Sequence, residues 1–176
     1  NFSTQKTMRL AQQLYEGIEI KGNGTVGLIT YLRTDSTRVS GEARRMAEEY
    51  IGKNYGENYV GKEPEEAKGG RKVQDAHEAI RPSTIDLTPQ RIKSSLSADQ
   101  YKLYKLIWER FIASQMANAQ LNTVAVTVKA GNCTFKSNGY TVKFDGFTRL
   151  YSEVAENEEE NGGALPKLTA GEKITV

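Results

Sequence analysis

One short run of this sequence places a phenol and a guanidinium where they could act together on a phosphate. Tyr31 and Arg33 lie at the end of residues 25–32, a β-branched and aromatic stretch that predicts a short strand or extended segment. In extended backbone, side chains two positions apart share a face. A phenol ionises only at a pH of about 10, so as a nucleophile it needs a cation or base nearby. A guanidinium can also hold a phosphate through two hydrogen bonds. The structural alternative is a strand that ends in a polar turn.

Three short polar side chains follow this pair. Thr34, Asp35 and Ser36 could cap a turn or contact a phosphate with their oxygens. We interpret them as supporting residues of the same site.

A second run, residues 75–83, holds the single histidine of the chain, His77. Asp75 could cap a short helix through Ile80, which Pro82 would end. On such a helix His77 and Arg81, four positions apart, would share a face. A lone histidine beside an arginine suits phosphate binding and proton exchange better than metal binding. A capped surface turn, with the histidine satisfied locally, is the alternative.

Helices are predicted around both runs. Helical spacing of apolar residues and start signals predict helices over about 4–15 and 41–54, and a short helix that opens at Thr88 and Pro89. A capping box at Ser97 and Gln100 predicts the longest helix, over about 98–116. Its apolar stripe, expected to pack in the core, is Tyr104, Trp108, Phe111 and Ile112. Residues 56–73 are rich in Gly, Lys and Glu and predict a surface loop.

The spacing of apolar residues changes near residue 114, from a helical period to alternation with polar residues. Strands are predicted over 123–128, 133–136 and 140–144, with the Asn138-Gly139 pair as a hairpin turn. Residues 156–161 predict a solvated acidic loop, and 173–176 the start of another strand. The sequence therefore predicts an α+β fold, with a mostly helical lobe over 1–113 followed by antiparallel strands over 114–176.

The composition is that of an ordinary globular protein. Of 176 residues, 38% are hydrophobic and 26% charged, which excludes a mostly disordered chain. Apolar runs are too short to span a bilayer, and the amino end lacks a signal-peptide pattern. One cysteine fits a reducing cytoplasm. Residues 1–113 carry 18 basic and 15 acidic side chains and residues 114–176 carry 6 and 7, so the helical lobe is the basic part.

The two runs together resemble a known family, the type IA DNA topoisomerases. Residues 27–36 (GLITYLRTDS) are similar to its nucleophile motif, and residues 76–82 (AHEAIRP) are similar to a second signature of the family. The second signature has the wording found in the bacterial members of the family. Further similarity, in the family's order, lies at residues 6–8, 13–16, 103–108 and 144–147. The resemblance therefore extends over essentially the whole chain.

The resemblance implies a role for each site residue. Tyr31 would attack a DNA phosphodiester and hold the 5′ phosphate, with no need for ATP because the new bond conserves the energy of the old one. Arg33 would stabilise charge on the phosphate, and His77 would assist as a catalytic residue by hydrogen bonding or proton transfer. The residues expected to contact DNA are Arg81, Thr34, Asp35, Ser36 and Ser83.

The resemblance also implies that this chain is a piece of a larger enzyme. The family binds Mg²⁺ in a toprim domain with an Asp-x-Asp pair, and no two aspartates here lie two apart. We therefore expect no metal site in the chain, and expect the isolated fragment to be inactive. The piece would comprise a helical lobe related to helix-turn-helix folds and an incomplete β-rich arch domain.

The implied partner is single-stranded DNA, bound covalently during catalysis, with no membrane and no obligate protein partner. The implied location is the cytoplasm, with the nucleoid. Two rival classes are a non-catalytic helix-turn-helix DNA-binding module and a structural or protein-interaction domain. A simple DNA reader would have no use for a tyrosine beside an arginine at residues 31 and 33, and an interaction domain none for His77 and Arg81.

Overall fold

The chain forms two units, which are described separately. The structure is a computed structural model that describes residues 2–33, 35–62, 77–151 and 168–173. The first unit comprises residues 1–117 and the second residues 118–176.

The first unit opens with helix α1, Thr4–Glu16, as predicted. The hydroxyl of Ser3 caps it by accepting a hydrogen bond from the Lys6 main-chain nitrogen at 3.3 Å. The helix ends at Gly17, whose φ of 130° is a conformation that favours glycine. A small antiparallel hairpin follows, formed by β1 (Ile18–Ile20) and β2 (Gly24–Val26).

The extended segment predicted over 25–32 is divided between two pairings. Only its first two residues belong to β2, while Ile29 forms an isolated antiparallel bridge with Pro82. Beyond Val26 the chain pairs with the Leu14 carbonyl of α1 and with a segment from much later in the chain.

Helix α2, Gly41–Tyr55, also matches its prediction and is capped by Ser40. The loop predicted to start at residue 56 is wrong in its first part. A 3-10 turn, Glu57–Tyr59, follows α2 directly, and Tyr59 is buried. Val60 then pairs with Met116 as an antiparallel bridge. The remainder of the predicted loop, residues 63–73, lies outside the described residues.

Two further helices complete the first unit. They are α3 (Pro89–Ile92), which runs into a 3-10 turn at Lys93–Ser95, and α4 (Ala98–Ser114). The capping box at Ser97 and Gln100 is confirmed. The predicted stripe of α4 is also confirmed as core, since all four of its residues are buried.

Helix α4 anchors the irregular chain that follows Pro82. The hydroxyl of Tyr104 donates to the Leu87 carbonyl at 2.7 Å, and the indole nitrogen of Trp108 donates to the Ile85 carbonyl at 3.3 Å. Burial raises the pKa of Tyr104, which keeps this donor protonated. Ile85 and Leu87 are themselves buried, so residues 85–87 are fixed against the core.

The second unit is built on one long hairpin. Strand β3, Gln120–Ala130, pairs with β4, Cys133–Phe144, in antiparallel register from Ala130 opposite Cys133 onward. The turn is Gly131-Asn132, and Gly131 has a φ of 58°. A short 3-10 turn, Gly146–Arg149, follows.

The predicted turn at Asn138-Gly139 is wrong. Both residues lie inside β4, where Gly139 is buried opposite Val124. A turn at 131–132 pairs eleven residues of β3, whereas a turn at 138–139 would join two strands of only four and five residues. The longer ladder prevails because each added pair contributes main-chain hydrogen bonds.

The predicted α+β class is confirmed by the four helices and two small antiparallel sheets of the described residues. Residues 156–161 lie outside the described residues, as do 174–176 of the predicted final strand. The relation to helix-turn-helix folds stays a prediction. Within the described ranges, no helix is long and apolar enough to cross a membrane.

Candidate active site

The site forms where two distant segments pair through their main chains. We call residues 28–33 the tyrosine segment and residues 77–83 the histidine segment. The Thr30 nitrogen donates to the Arg81 carbonyl at 2.9 Å, and the Ser83 nitrogen donates to the Leu28 carbonyl at 3.0 Å. These two bonds flank the bridge between Ile29 and Pro82. The residues that form the bonds and the bridge are buried or half-buried, except Ser83, which is exposed.

The hydroxyl of Thr30 strengthens this junction. It donates to the Ala79 carbonyl at 2.8 Å and accepts from the Arg81 nitrogen at 2.9 Å. The histidine segment is held from its other side as well, because the Ala79 nitrogen donates to the Arg38 carbonyl at 2.8 Å. The residue directly before Tyr31 is thus tied to the segment that carries His77.

The helix predicted to end at Pro82 is wrong within the described residues, since residues 77–80 form no helix. Proline disfavours helical backbone at the residue before it, here Arg81. The main-chain groups of residues 79–83 instead bond to the tyrosine segment and to residue 38. His77 and Arg81 therefore do not share a helix face, and their side chains make different contacts.

Tyr31 lies at the surface with 57% of its area exposed. Its ring packs edge-on against that of Tyr15, at the end of α1, with centroids 5.4 Å apart and an angle of 62° between the planes. An aromatic pair of this geometry is favourable beyond its buried area. The phenol is therefore accessible to a large substrate while its ring has a defined neighbour.

Arg33, Asp35 and His77 form a small cluster, in which Arg33 belongs to the tyrosine segment, Asp35 follows that segment and His77 belongs to the histidine segment. Nε of Arg33 lies 2.6 Å from Oδ2 of Asp35, and Nη1 of Arg33 lies 3.4 Å from Nε2 of His77. Nδ1 of His77 is 3.7 Å from the same carboxylate oxygen. The sequence predicts Asp35 as a supporting residue, but not the contacts of its carboxylate with both Arg33 and His77. Because Arg33 and Asp35 are both well exposed, their ion pair contributes at most about 1 kcal/mol.

The guanidinium of Arg81 forms an ion pair with Glu78, in its own segment. Its Nε and Nη2 donate to Oε2 of Glu78 at 3.0 and 2.6 Å, and its Nη1 donates to the Pro82 carbonyl at 3.0 Å. The pKa of Glu78 is lowered from its ordinary value. Burial acts to raise it, but the hydrogen bond and charge of Arg81, a hydrogen bond from Ser40 and the charge of Arg38 together outweigh burial. A phosphate contact by Arg81 stays a prediction, since in this geometry the guanidinium braces the histidine segment.

Three further residues were predicted to belong to the site: Ser36, Ser83 and Thr34. The Ser36 hydroxyl accepts a hydrogen bond from the Arg38 nitrogen at 3.2 Å, which makes a turn. Ser83 is exposed and uses its main-chain nitrogen in the junction with Leu28. Thr34 lies outside the described residues. Contacts of these residues with DNA stay predictions.

Sequence reasoning missed three residues that shape the site: Tyr15, Thr30 and Glu78. Glu78 had a visible signal, because it stands three positions before Arg81, a spacing common to paired charges. Thr30 and Tyr15 had none, since their contacts lie 51 and 16 positions away in the sequence. Among the described residues no group of three or more His, Cys, Asp or Glu side chains could hold a metal ion.

The chain matches the family described as DNA topoisomerase over residues 1–176, and it belongs to this family, in its type IA class. It is similar to the solved structure of full-length topoisomerase I from Thermotoga maritima in a monoclinic crystal form, with 41% identity and a TM-score of 0.75. The match covers 95% of this chain and 26% of that chain, so the chain spans about a quarter of that protein's length.

Proposed function

We propose that this chain is the part of a type IA topoisomerase that carries the nucleophile, and that Tyr31 is the residue that breaks the DNA strand. The observation that carries the proposal is an exposed phenol in a segment joined by hydrogen bonds to a second segment, whose histidine lies 3.4 Å from the arginine two positions after the phenol. In the whole protein this chemistry would relax negatively supercoiled DNA.

The proposed step exchanges one phosphodiester for another. The phenol oxygen of Tyr31 forms a bond to phosphorus while the bond from phosphorus to the 3′ oxygen of the preceding nucleotide breaks. The 5′ phosphate stays on the tyrosine, and the proton lost by the phenol is balanced by the one that the 3′ oxygen gains. The reverse attack by the 3′ hydroxyl reseals the strand, so no ATP is required.

Arg33 is the residue best suited to the charge that builds on the phosphate. Its guanidinium is paired with the exposed carboxylate of Asp35 at 2.6 Å, and an exposed pair is weak. An incoming phosphate could replace Asp35 at small expense in free energy, and would then receive hydrogen bonds from a cation. In this proposal Asp35 holds the guanidinium in place until DNA arrives.

His77 is placed to assist through hydrogen bonding or proton transfer. Nε2 of its ring lies 3.4 Å from Arg33 and Nδ1 lies 3.7 Å from Asp35. Its main-chain carbonyl accepts from Nε of Arg38 at 3.4 Å. The ring therefore has a polar neighbour at each nitrogen, and its main chain is held separately, as suits a general acid or base.

The family implies Mg²⁺, and the described residues do not fit a site for it. Asp35, the carboxylate in the cluster with Arg33 and His77, is paired with Arg33, and no cluster of three suitable ligands exists in the described ranges. No step here is therefore assigned to the ion. We propose that a toprim domain outside this chain binds it, and that the isolated chain is inactive for that reason.

The proposed partner is a single-stranded segment of DNA, with the enzyme acting on the nucleoid in the cytoplasm. The rival function is a helix-turn-helix module that binds DNA without a covalent bond, and affinity for DNA cannot separate the two. Full-length protein should be incubated with Mg²⁺ and single-stranded DNA labelled at either end, then treated with detergent. We expect the 3′-labelled fragment alone to become attached to protein. Release of both labels as intact DNA would support the binding module instead.

A further inference from the structure

The ring of Tyr15 is the aromatic neighbour of Tyr31. Tyr31 is 57% exposed and lies in residues without helix or strand, so neither burial nor secondary structure fixes its ring. The two ring centroids are 5.4 Å apart in an edge-on arrangement. We propose that Tyr15 is a positioning residue that holds the phenol of Tyr31 in its attacking orientation. This inference rests on the proposed function.

The backbone brings the two rings together independently of their own attraction. After the β1–β2 hairpin the chain returns to α1, where the Leu28 nitrogen donates to the Leu14 carbonyl at 2.7 Å. Gly27 lies so close to α1 that a Cβ there would be 2.7 Å from the Tyr15 carbonyl oxygen. Glycine at residue 27 therefore allows the tyrosine segment to start directly against the last turn of α1.

The position of Tyr15 along α1 leaves its ring at the surface beside the nucleophile. Tyr15 is 38% exposed, and Leu14, the residue before it, is fully buried. The buried leucine fixes the rotation of the helix, and that rotation directs the next side chain outward, where it meets Tyr31. The contact thus joins a rigid helix to an irregular segment whose exposed side chain must be oriented for attack.

Orientation of the nucleophile has a recognisable kinetic signature. The same oxygen attacks phosphorus in cleavage and leaves it in resealing, so a less well-oriented ring slows both steps by a similar factor. The fraction of DNA cleaved at equilibrium and the affinity for DNA then stay unchanged. A DNA-contacting role for Tyr15 would instead change the dissociation constant, and a purely structural role would lower the melting temperature.

The test uses full-length protein in single-turnover cleavage and resealing of labelled single-stranded DNA. For Tyr15→Leu we expect both rate constants to fall about fivefold, the equivalent of ~1 kcal/mol, which is within the range of aromatic pairs. Tyr15→Phe keeps the ring and should retain wild-type rates. Tyr101→Leu is the matched control, because Tyr101 packs under Lys93 and bonds Gln90 rather than the nucleophile.

Wild-type rates for Tyr15→Leu would overturn the inference, as would an equal loss for Tyr15→Phe or an effect on DNA affinity alone. If Tyr15→Leu melts below the assay temperature, Tyr15→Met, which keeps length without a ring, replaces it with the same expectation. Failure of the proposed function is distinguishable: the wild-type protein would then form no covalent adduct at all, and the role of Tyr15 would fall with it.

Discussion

The hydroxyl of Thr30 joins the nucleophile's segment to the main chain of Arg81, 51 positions later in the sequence. It accepts from the Arg81 nitrogen at 2.9 Å and donates to the Ala79 carbonyl at 2.8 Å. One side chain therefore satisfies a main-chain donor and a main-chain acceptor of the histidine segment. The two motifs that resemble the family form one structure through this residue.

Thr30→Val should destabilise the first unit. Valine has the shape of threonine without its hydroxyl, so the Arg81 nitrogen and the Ala79 carbonyl each lose a partner in a half-buried place. We expect a loss of about 1–3 kcal/mol in the free energy of unfolding. Urea unfolding followed by the fluorescence of Trp108, the only tryptophan and part of the first unit, measures it. Thr30→Ser, which keeps the hydroxyl, should retain most of that stability; equal losses for both variants would contradict the role of the hydrogen bonds.

The ion pair between Glu78 and Arg81 should make stability depend on pH in the acid range. The pKa of Glu78 is lowered from its ordinary value of 4.5, so its contribution is present above that value and is lost as the pH falls through the lower folded-state pKa. Wild type should exceed Glu78→Gln in unfolding free energy at pH 7, and the difference should shrink below pH 4.5. Glu49→Gln, an exposed carboxylate of α2, is the control. A difference that persists undiminished at the lowest pH would contradict the assignment.

Arg33 should act mainly through its charge. Its guanidinium is exposed and its pairing with Asp35 is weak, so a lysine could supply much of the same attraction to a phosphate. Single-turnover cleavage by the full-length protein should fall by roughly 10²–10³ in Arg33→Ala, the size of effect seen when one charge-stabilising group is removed. Arg33→Lys should retain far more activity.

The control for Arg33→Ala is Arg91→Ala. This variant also removes one positive charge, but the guanidinium of Arg91 donates to the Asp86 carbonyl and is not part of the proposed site. If Arg33→Ala and Arg91→Ala cleave equally well, Arg33 has no special part in the reaction.

The isolated 176-residue chain should not relax plasmid DNA, because no metal cluster exists among its described residues and we propose that Mg²⁺ is bound by another domain. A gel assay of negatively supercoiled plasmid, with Mg²⁺ and equal amounts of the chain or the full-length protein, measures this. We expect relaxation only by the full-length protein. Robust relaxation by the chain alone would refute the proposed division of the active site.

Local signals predicted the helices well. Ser40, Ser97 and Pro89 mark helix starts by contacts within three or four residues, and each of those helices begins where its signal stands. The stripe that includes Tyr104 is buried for the same reason, since helical spacing directly describes one face. The α+β class followed from these helices and the alternating residues after them.

The predictions that are wrong concern segments whose structure depends on a distant partner. Asn138-Gly139 is a strong local turn signal, but the glycine at 131 gives a longer ladder, and that outcome depends on the whole of β3. Likewise the sequence around His77 predicts a helix, whereas its main chain pairs with residues some fifty positions earlier. The types of the site residues follow from the sequence, whereas the contacts of Asp35 with Arg33 and His77 and of Tyr15 with Tyr31 depend on tertiary structure.

The most direct test is to map the residue that becomes attached to DNA. Full-length protein is incubated with single-stranded DNA and Mg²⁺, trapped with detergent, digested with nuclease and protease, and its nucleotide-bearing peptide is identified by mass spectrometry. We predict a nucleotide on Tyr31 and no adduct in Tyr31→Phe, which removes only an exposed hydroxyl and should unfold like wild type. An adduct on another residue, or one that survives in Tyr31→Phe, would contradict the account.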